Sequence, residues 1–163
     1  MTGRAWAAVA AVPRVLLGAL WLAEGLFKLR AGFGAADIAL VADGAADNPR
    51  VPGVFVWFAQ TVMEPFSVLL GPGIPLLEIA LGLLLVLGVG TTWVTLASTA
   101  TLALYWFSDQ LVWQYPVMAL LGVVAIMAVA AARPATLAGL RRGLSARRAP
   151  GDTAAGARTP VAP

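Results

Sequence analysis

The chain contains no cysteine and no histidine. Without cysteine there is no disulfide relay, no thiolate-held iron–sulfur cluster and no thiolate metal site. Without histidine there is no ordinary haem ligand and no imidazole to act as acid or base. No haem, iron–sulfur, zinc or other metal site is therefore expected, and any redox chemistry would need a borrowed electron carrier. Charge is scarce too. Only 12% of the 163 residues are Asp, Glu, Lys or Arg, against about 25% in an average soluble protein. Lysine occurs once, at Lys28, against ten arginines, a bias that reads as GC-rich coding. No nucleic-acid partner is expected.

What the chain has instead is apolar surface. Hydrophobic residues make up 60% of it, and its mean hydropathy is +0.85. A soluble domain of this length could not bury that much. The composition predicts an all-α integral membrane protein in contact with lipid, built as one domain. About 20 apolar residues cross a bilayer, and four such runs occur, at about 6–29, 73–90, 93–109 and 114–132. Pro13 and Arg14 interrupt the first. Either the helix kinks there, or residues 5–12 lie along the interface and the span begins at Pro13. Thr91 or Thr92 would cap the third.

Between the first and second runs, Phe55, Phe58, Val62 and Phe66 recur at helical spacing, with Trp57 beside them. Residues 53–70 therefore predict an amphipathic helix that lies on the membrane or dips into it. A fifth crossing is disfavoured, because Glu64-Pro65 breaks the run. The segment 134–163 is a basic tail of Ala, Gly, Pro and Arg, expected to be disordered beyond about Leu144. It reads as a topology anchor, or more sharply as a contact for anionic lipid or a partner. Six arginines follow the fourth run and two lie at the start of the first, so the positive-inside rule puts both termini in the cytoplasm. The apolar run continues past any small-residue site, so the N-terminus does not read as a cleaved signal peptide.

This topology gathers the membrane charges. Glu24 and Lys28 are i,i+4 neighbours near the outer end of the first span. Glu78 enters about one turn into the second. Asp109 ends the third, and Trp113, Gln114 and Tyr115 begin the fourth, close to Trp106. A carboxylate such as Glu78 costs roughly 2.5–3.5 kcal/mol at a helix centre in lipid, so it must face the bundle. Three readings are open. Glu24, Lys28 and Glu78 could be a polar staple that fixes helix register. They could form a ligand or quinone-headgroup pocket, with Glu78 and Glu24 as candidate catalytic groups and Lys28, Trp106, Asp109, Trp113, Gln114 and Tyr115 as candidate binding groups. They could belong to a proton or ion path, although the inner half of the bundle lacks the polar groups such a path needs. Trp106, Trp113 and Tyr115 also read as an ordinary aromatic belt. Gly18, Gly82, Gly88, Ala97 and Gly122 would let helices approach closely.

Two stretches carry a family resemblance. "RVLLGALWLAEGLFKL", with Arg14, Gly18, Gly25 and Lys28, resembles the first-helix signature of the DoxX-like membrane proteins. "EIALGLLLVLGVGTTW", with Glu78, Gly82, Gly88 and Thr91, resembles their second-helix signature. "NPRVPGVFVWFAQTVMEPFSVLL" looks like the DoxD branch, the small subunit of thiosulfate:quinone oxidoreductase. The likeness covers about Val12 to Arg133.

It implies a four-helix membrane domain over 5–133, in a bacterial cytoplasmic membrane. It also implies a role with a second oxidoreductase subunit that oxidises thiosulfate and passes electrons to a quinone, borrowed and not tightly bound. Where many DoxX-like proteins have an arginine in the turn after the second helix, this chain has Thr92-Trp93; if that arginine helps bind an anion, its loss puts anion binding in doubt. Thiosulfate would need Lys28, Arg30, Arg50 or a helix N-terminus on the outer side, and the acidic loop argues mildly against that. The alternative is a non-catalytic anchor for a soluble redox or sulfur-transfer partner. A small transporter is a weaker third reading, and a homo-oligomer is compatible with all three.

Overall fold

The computed structural model describes residues 3–110 and 112–148. They fold into eight α-helices, with no strand among the described residues. The order is α1 (Gly3–Ala31), α2 (Ala35–Asp47), α3 (Gly53–Phe58), α4 (Ser67–Leu87), α5 (Thr91–Phe107), α6 (Gln114–Met127), α7 (Val129–Ala132) and α8 (Leu137–Arg148). A π-helical turn, Ala59–Met63, extends α3, and a 3-10 turn, Arg133–Ala135, joins α7 to α8. Two helices, Ala5–Ala31 and Ser67–Leu87, are long and apolar enough to cross a membrane. Gln114–Met127 with Val129–Ala135 makes a third if that bent pair acts as one span.

The packing is inverted relative to a soluble protein. Large apolar side chains point outward: Val68 and Met127 are each 80% exposed, and Phe27 is 70% exposed. An apolar surface this extensive is an interaction surface, and its residues fit lipid. Inside, α1 packs against α4, α6 and α7, while α5 fits between α4 and α6. Their shared core is Leu17, Trp21, Leu81, Leu85, Leu102, Tyr105, Tyr115 and Met118. A second core, from Ile38, Ala42 and Ala45 to Phe55, Ala59 and Met63, joins α2 and α3 into a cap over one end of the bundle. The other end carries Arg14, Gly88 and Arg133.

Glycine explains how closely α1 and α4 meet. A Cβ on Gly18 would fall 2.8 Å from the Gly82 carbonyl oxygen, and one on Gly25 2.7 Å from that of Pro75. The helices touch backbone to backbone, as small residues permit without a hydrophobic drive. Two expected packing positions behave differently. Ala97 is exposed. Gly88 instead ends α4 at φ +70°, where its N–H bonds back to the last turn, a conformation glycine adopts without strain.

Several boundaries differ from the sequence reading. The second span was expected from Gly73, but α4 begins at Ser67 and contains Pro72 and Pro75. Proline is tolerated inside apolar membrane helices when neighbours satisfy the freed backbone groups. α1 runs through Pro13 as one element instead of beginning there. Gly90, not Thr91 or Thr92, caps α5, at φ +56°. The fourth run breaks at Ala128, and the two parts meet at 74°. In the 53–70 segment the buried face is Phe55, Ala59 and Met63, while Phe66 is exposed. The π turn widens the spacing there, so the Phe55–Phe66 stripe does not stay on one face. Residues 137–148 of the tail are helical, which extends order past Leu144. The rest of the expected disordered tail lies outside the described residues.

Candidate functional site

The capped end of the bundle holds a buried polar cluster centred on Glu78, whose side chain is 0% exposed. α4 places it on the same inward stripe as Leu81 and Leu85. Lys28, from the last turn of α1, donates a hydrogen bond to Glu78 Oε1. Tyr105, from the last turn of α5, donates its hydroxyl to the same oxygen at 2.5 Å. The second carboxylate oxygen, Oε2, is buried without a hydrogen-bond partner. An unmet acceptor of this kind in a low-dielectric site is costly, and so it marks a place where a donor would be welcome.

Glu24 stands one turn before Lys28, with its Oε2 3.8 Å from Lys28 Nζ, and Gln114 of α6 donates to its Oε1. Two carboxylates, one ammonium, one phenol and one amide thus meet from four helices. Aromatic rings enclose them. Tyr105 and Tyr115 lie with centroids 5.4 Å apart, and Trp21 lies 6.2 Å from Tyr105. The Lys28 ammonium sits 4.7 Å from the Tyr105 ring centroid, within reach of a cation–π contact. Trp21 Nε1 donates to Ser98 Oγ at 2.7 Å, fixing the indole.

An apolar cavity of about 190 Å³ adjoins this cluster between α4, α5 and the cap. Lys28, Tyr105, Ser108 and Gln110 line its polar part, and Phe33, Phe55, Leu70 and Ile74 are among the apolar walls. The volume falls below the roughly 300–1,000 Å³ of pockets that hold whole drug-sized ligands. It suits a single ring or headgroup.

No family model, curated protein or solved structure matches the chain. What the site can do must therefore come from its own chemistry.

The fold brings Glu24, Lys28, Glu78, Gln114 and Tyr115 into one cluster. It leaves out three other candidates. Trp106 and Trp113 point outward at 61% and 78% exposure; Trp106 follows the inward-facing Tyr105 on α5, and Trp113 lies just before the start of α6. Asp109 sits apart, at φ 58°, where it accepts from Asn48 Nδ2 at 2.9 Å and pairs with Arg50 Nη2 at 3.1 Å. These contacts tie the loop after α2 to the end of α5. Arg50 and Lys28 are thus already matched to carboxylates, which removes two of the three cations considered for thiosulfate at this end.

Sequence reasoning passed over Tyr105. A signal was present, since Thr91, Thr95, Ser98, Thr101 and Tyr105 recur at helical spacing in α5, and all are buried. This stripe gives the opposite half of the bundle more polar groups than expected. Even so, the threonines are satisfied locally: Thr95 and Thr101 donate to the carbonyls four residues back, at 2.7 and 3.0 Å. They are helix-internal hydroxyls, not a continuous relay.

Proposed function

We propose that the chain is a DoxX/DoxD-like subunit of a membrane oxidoreductase, and that the Glu78 cluster forms the polar end of a quinone-headgroup pocket. One observation carries this reading: Lys28 and Tyr105, which hold Glu78, also line the apolar cavity beside it. A quinone headgroup needs an apolar slot with a few donors at one end, and this is such a slot. Lys28 and Gln110 would donate to the carbonyl end, while the Glu78 carboxyl, which does not itself line the cavity, would exchange protons with it through Lys28 and Tyr105, with Glu24 behind Lys28. The quinone would supply the electron-accepting chemistry that the chain's own side chains lack. Electrons from a sulfur compound such as thiosulfate would reach it through a second subunit.

In this reading α1, α4, α5 and the α6–α7 pair are four crossings, with both termini cytoplasmic and the α2–α3 cap outside. The arginines at the uncapped end favour that orientation. The 17 residues of α5 rise about 25 Å at 1.5 Å each. That is slightly short of a roughly 30 Å core, and Trp93 and Trp106 near its two ends suit the interfaces.

The experiment is quinone titration of the purified chain in neutral detergent, followed by tryptophan fluorescence, with Trp21 as the near reporter. Saturable quenching by a short-chain quinone should weaken at least about tenfold in Lys28→Met and in Tyr105→Phe. Quenching that is absent, or unchanged in both variants, would make the cavity a packing void and leave the cluster as a helix staple. Mass spectrometry of what co-purifies in mild detergent then separates a subunit from an anchor. A stoichiometric redox partner supports the former. A sulfur-transfer enzyme bound by a chain that does not take quinone supports the latter.

A further inference from the structure

The end of the bundle opposite Glu78 holds a second cavity, of about 350 Å³, and its chemistry is different. Arg14, Arg133 and Arg142 line it together with Thr91, Thr92 and Thr136. Among the described residues no carboxylate pairs with any of the three arginines, since the ion pairs belong to Lys28 and Arg50.

Arg14 is the unusual member. It is 2% exposed, inside a helix that is otherwise apolar for two turns on either side. Its Nη1 donates to the carbonyls of Leu85 and Val86, the latter at 2.9 Å, and its Nη2 reaches the Ala135 carbonyl at 3.4 Å. It thereby caps the C-terminal end of α4, a favourable place for a cation. Carbonyl dipoles only partly offset a full charge, and Arg14 Nε stays buried without any partner. A buried cation normally needs a counter-charge.

The rest of the cavity wall supplies what an anion needs. α5 begins here at Thr91, after Gly90, with no side-chain cap. Its first-turn N–H groups therefore lack intrahelical acceptors and form the positive end of the helix dipole. Thr91 and Thr92 add hydroxyl groups, whereas the Thr136 hydroxyl is committed to the Arg133 carbonyl at 2.8 Å. Arg133 and Arg142 are exposed at the rim, where they can reach a ligand that Arg14 holds from below. Trp93, also in the lining, is 78% exposed, as befits a side chain at headgroup level.

We propose that this cavity binds a phosphate-type oxyanion, with the Arg14 guanidinium and the start of α5 as its floor and Arg133 and Arg142 as its clamp. The site is independent of the quinone reading. The same phosphate chemistry is offered by an anionic lipid headgroup and by a free phosphate ester, and the cavity has room for either.

The test is thermal unfolding of the full chain in neutral detergent. Inorganic phosphate is titrated against chloride at equal ionic strength, and phosphatidylglycerol against phosphatidylcholine. Binding to the folded state should give a saturable rise in Tm of about 3 °C or more. It should be lost in the double variant Arg133→Gln/Arg142→Gln, whose side chains lie at the rim and leave the Arg14 cap in place. Lys28→Met, at the far end, should keep the shift even though its baseline Tm is lower. A response to both phosphate and phosphatidylglycerol supports the site and shows that free phosphate suffices. A response to phosphatidylglycerol alone supports the site with lipid as the source. No saturable response, equal responses to the two lipids without one to phosphate, or an undiminished response in the double variant would each overturn the proposal.

Discussion

Lys28 and Tyr105 donate to the same oxygen of Glu78, and the lysine ammonium lies 4.7 Å from the centroid of that tyrosine ring. Three helices are thereby joined at one atom. The opposite carboxylate oxygen has no partner, so the cluster is over-determined on one side and open on the other.

The pair gives the first prediction. Lys28→Met leaves a fully buried carboxylate without its cation, which should cost about 3–5 kcal/mol of stability. Replacing both partners, as in Lys28→Met/Glu78→Gln, removes the stranded charge and should recover most of that loss. Tyr105→Phe removes one neutral donor and should cost less, about 1–3 kcal/mol. Thermal unfolding of the single and double variants checks this as a double-mutant cycle. Additive losses for Lys28 and Glu78 would mean that the two are not coupled.

The backbone contact between α1 and α4 gives the second. Gly18→Ala or Gly82→Ala would place a methyl within 2.8 Å of a facing carbonyl oxygen, and overpacking of this kind typically costs about 1–3 kcal/mol. Gly73→Ala is the matched control in the same helix, because a Cβ there meets nothing within 4 Å. The first two variants should unfold at lower temperature than the parent and the third should not. Equal behaviour of all three would place α1 and α4 further apart than described.

Much of the capped end was legible because antiparallel helices return to the same side of a bundle. Alternating direction alone gathers Glu24, Lys28, Glu78, Gln114 and Tyr115, and their i,i+4 or end positions fix the depth. What pattern could not give was rotation about each helix axis. Trp106 and Tyr105 are adjacent in sequence, yet one points outward and the other holds Glu78. Hydropathy ranks both as aromatic and interfacial, so only the buried hydroxyl stripe of α5 distinguishes them. Boundaries failed for a related reason. Pro72, Pro75 and Gly71 read as breakers in water, but Gly71 packs against the start of α2, where a Cβ would lie 2.6 Å from the Gly34 carbonyl carbon. The arginine cavity was hidden because its parts come from residues 14, 91–92 and 133–142, far apart in the chain.

The outward-facing tryptophans give the third prediction. Trp106→Leu and Trp113→Leu should leave quinone quenching and its affinity unchanged within about twofold, since neither side chain lines the cavity. Trp21→Phe should remove most of the quenchable signal and loosen Ser98, its hydrogen-bond partner. Fluorescence titration of the three variants decides the matter. A loss of quinone affinity in Trp113→Leu would move the site to the outer rim and away from Glu78.

The link between the cap and α5 gives the fourth. Arg50 is 65% exposed in its pair with Asp109, and exposed pairs contribute about 0–1 kcal/mol. Arg50→Ala should therefore change Tm little. Asp109→Val should do more, because it deletes the Asn48 and Arg50 contacts together and places a β-branched residue at φ 58°, a conformation that Asp tolerates and Val does not. Asp109→Asn keeps both the backbone preference and an acceptor, so it should fall between the two. An Asp109→Val protein as stable as Arg50→Ala would mean that the cap is held by its apolar core alone.

Orientation is the last consequence, and it bears on both cavities. The uncapped end carries Arg14, Arg133 and Arg142, while the capped end carries the acidic α2 with Asp37, Asp43 and Asp47. In the proposed orientation, which rests on positive-inside asymmetry, the arginine cavity would lie in the cytoplasmic leaflet, where anionic lipid and phosphate esters are available. Glu78 would then lie toward the outer side, within reach of substrates that do not enter the cell. Reporter fusions decide this directly. Alkaline phosphatase, which is active only outside, should be active when inserted after Asn48 and inactive when fused after Arg148, and a fluorescent protein that folds only in the cytoplasm should show the reverse. The opposite pattern would turn the molecule over. The phosphate site would then face outward, and quinone chemistry at Glu78 would exchange protons with the cytoplasm.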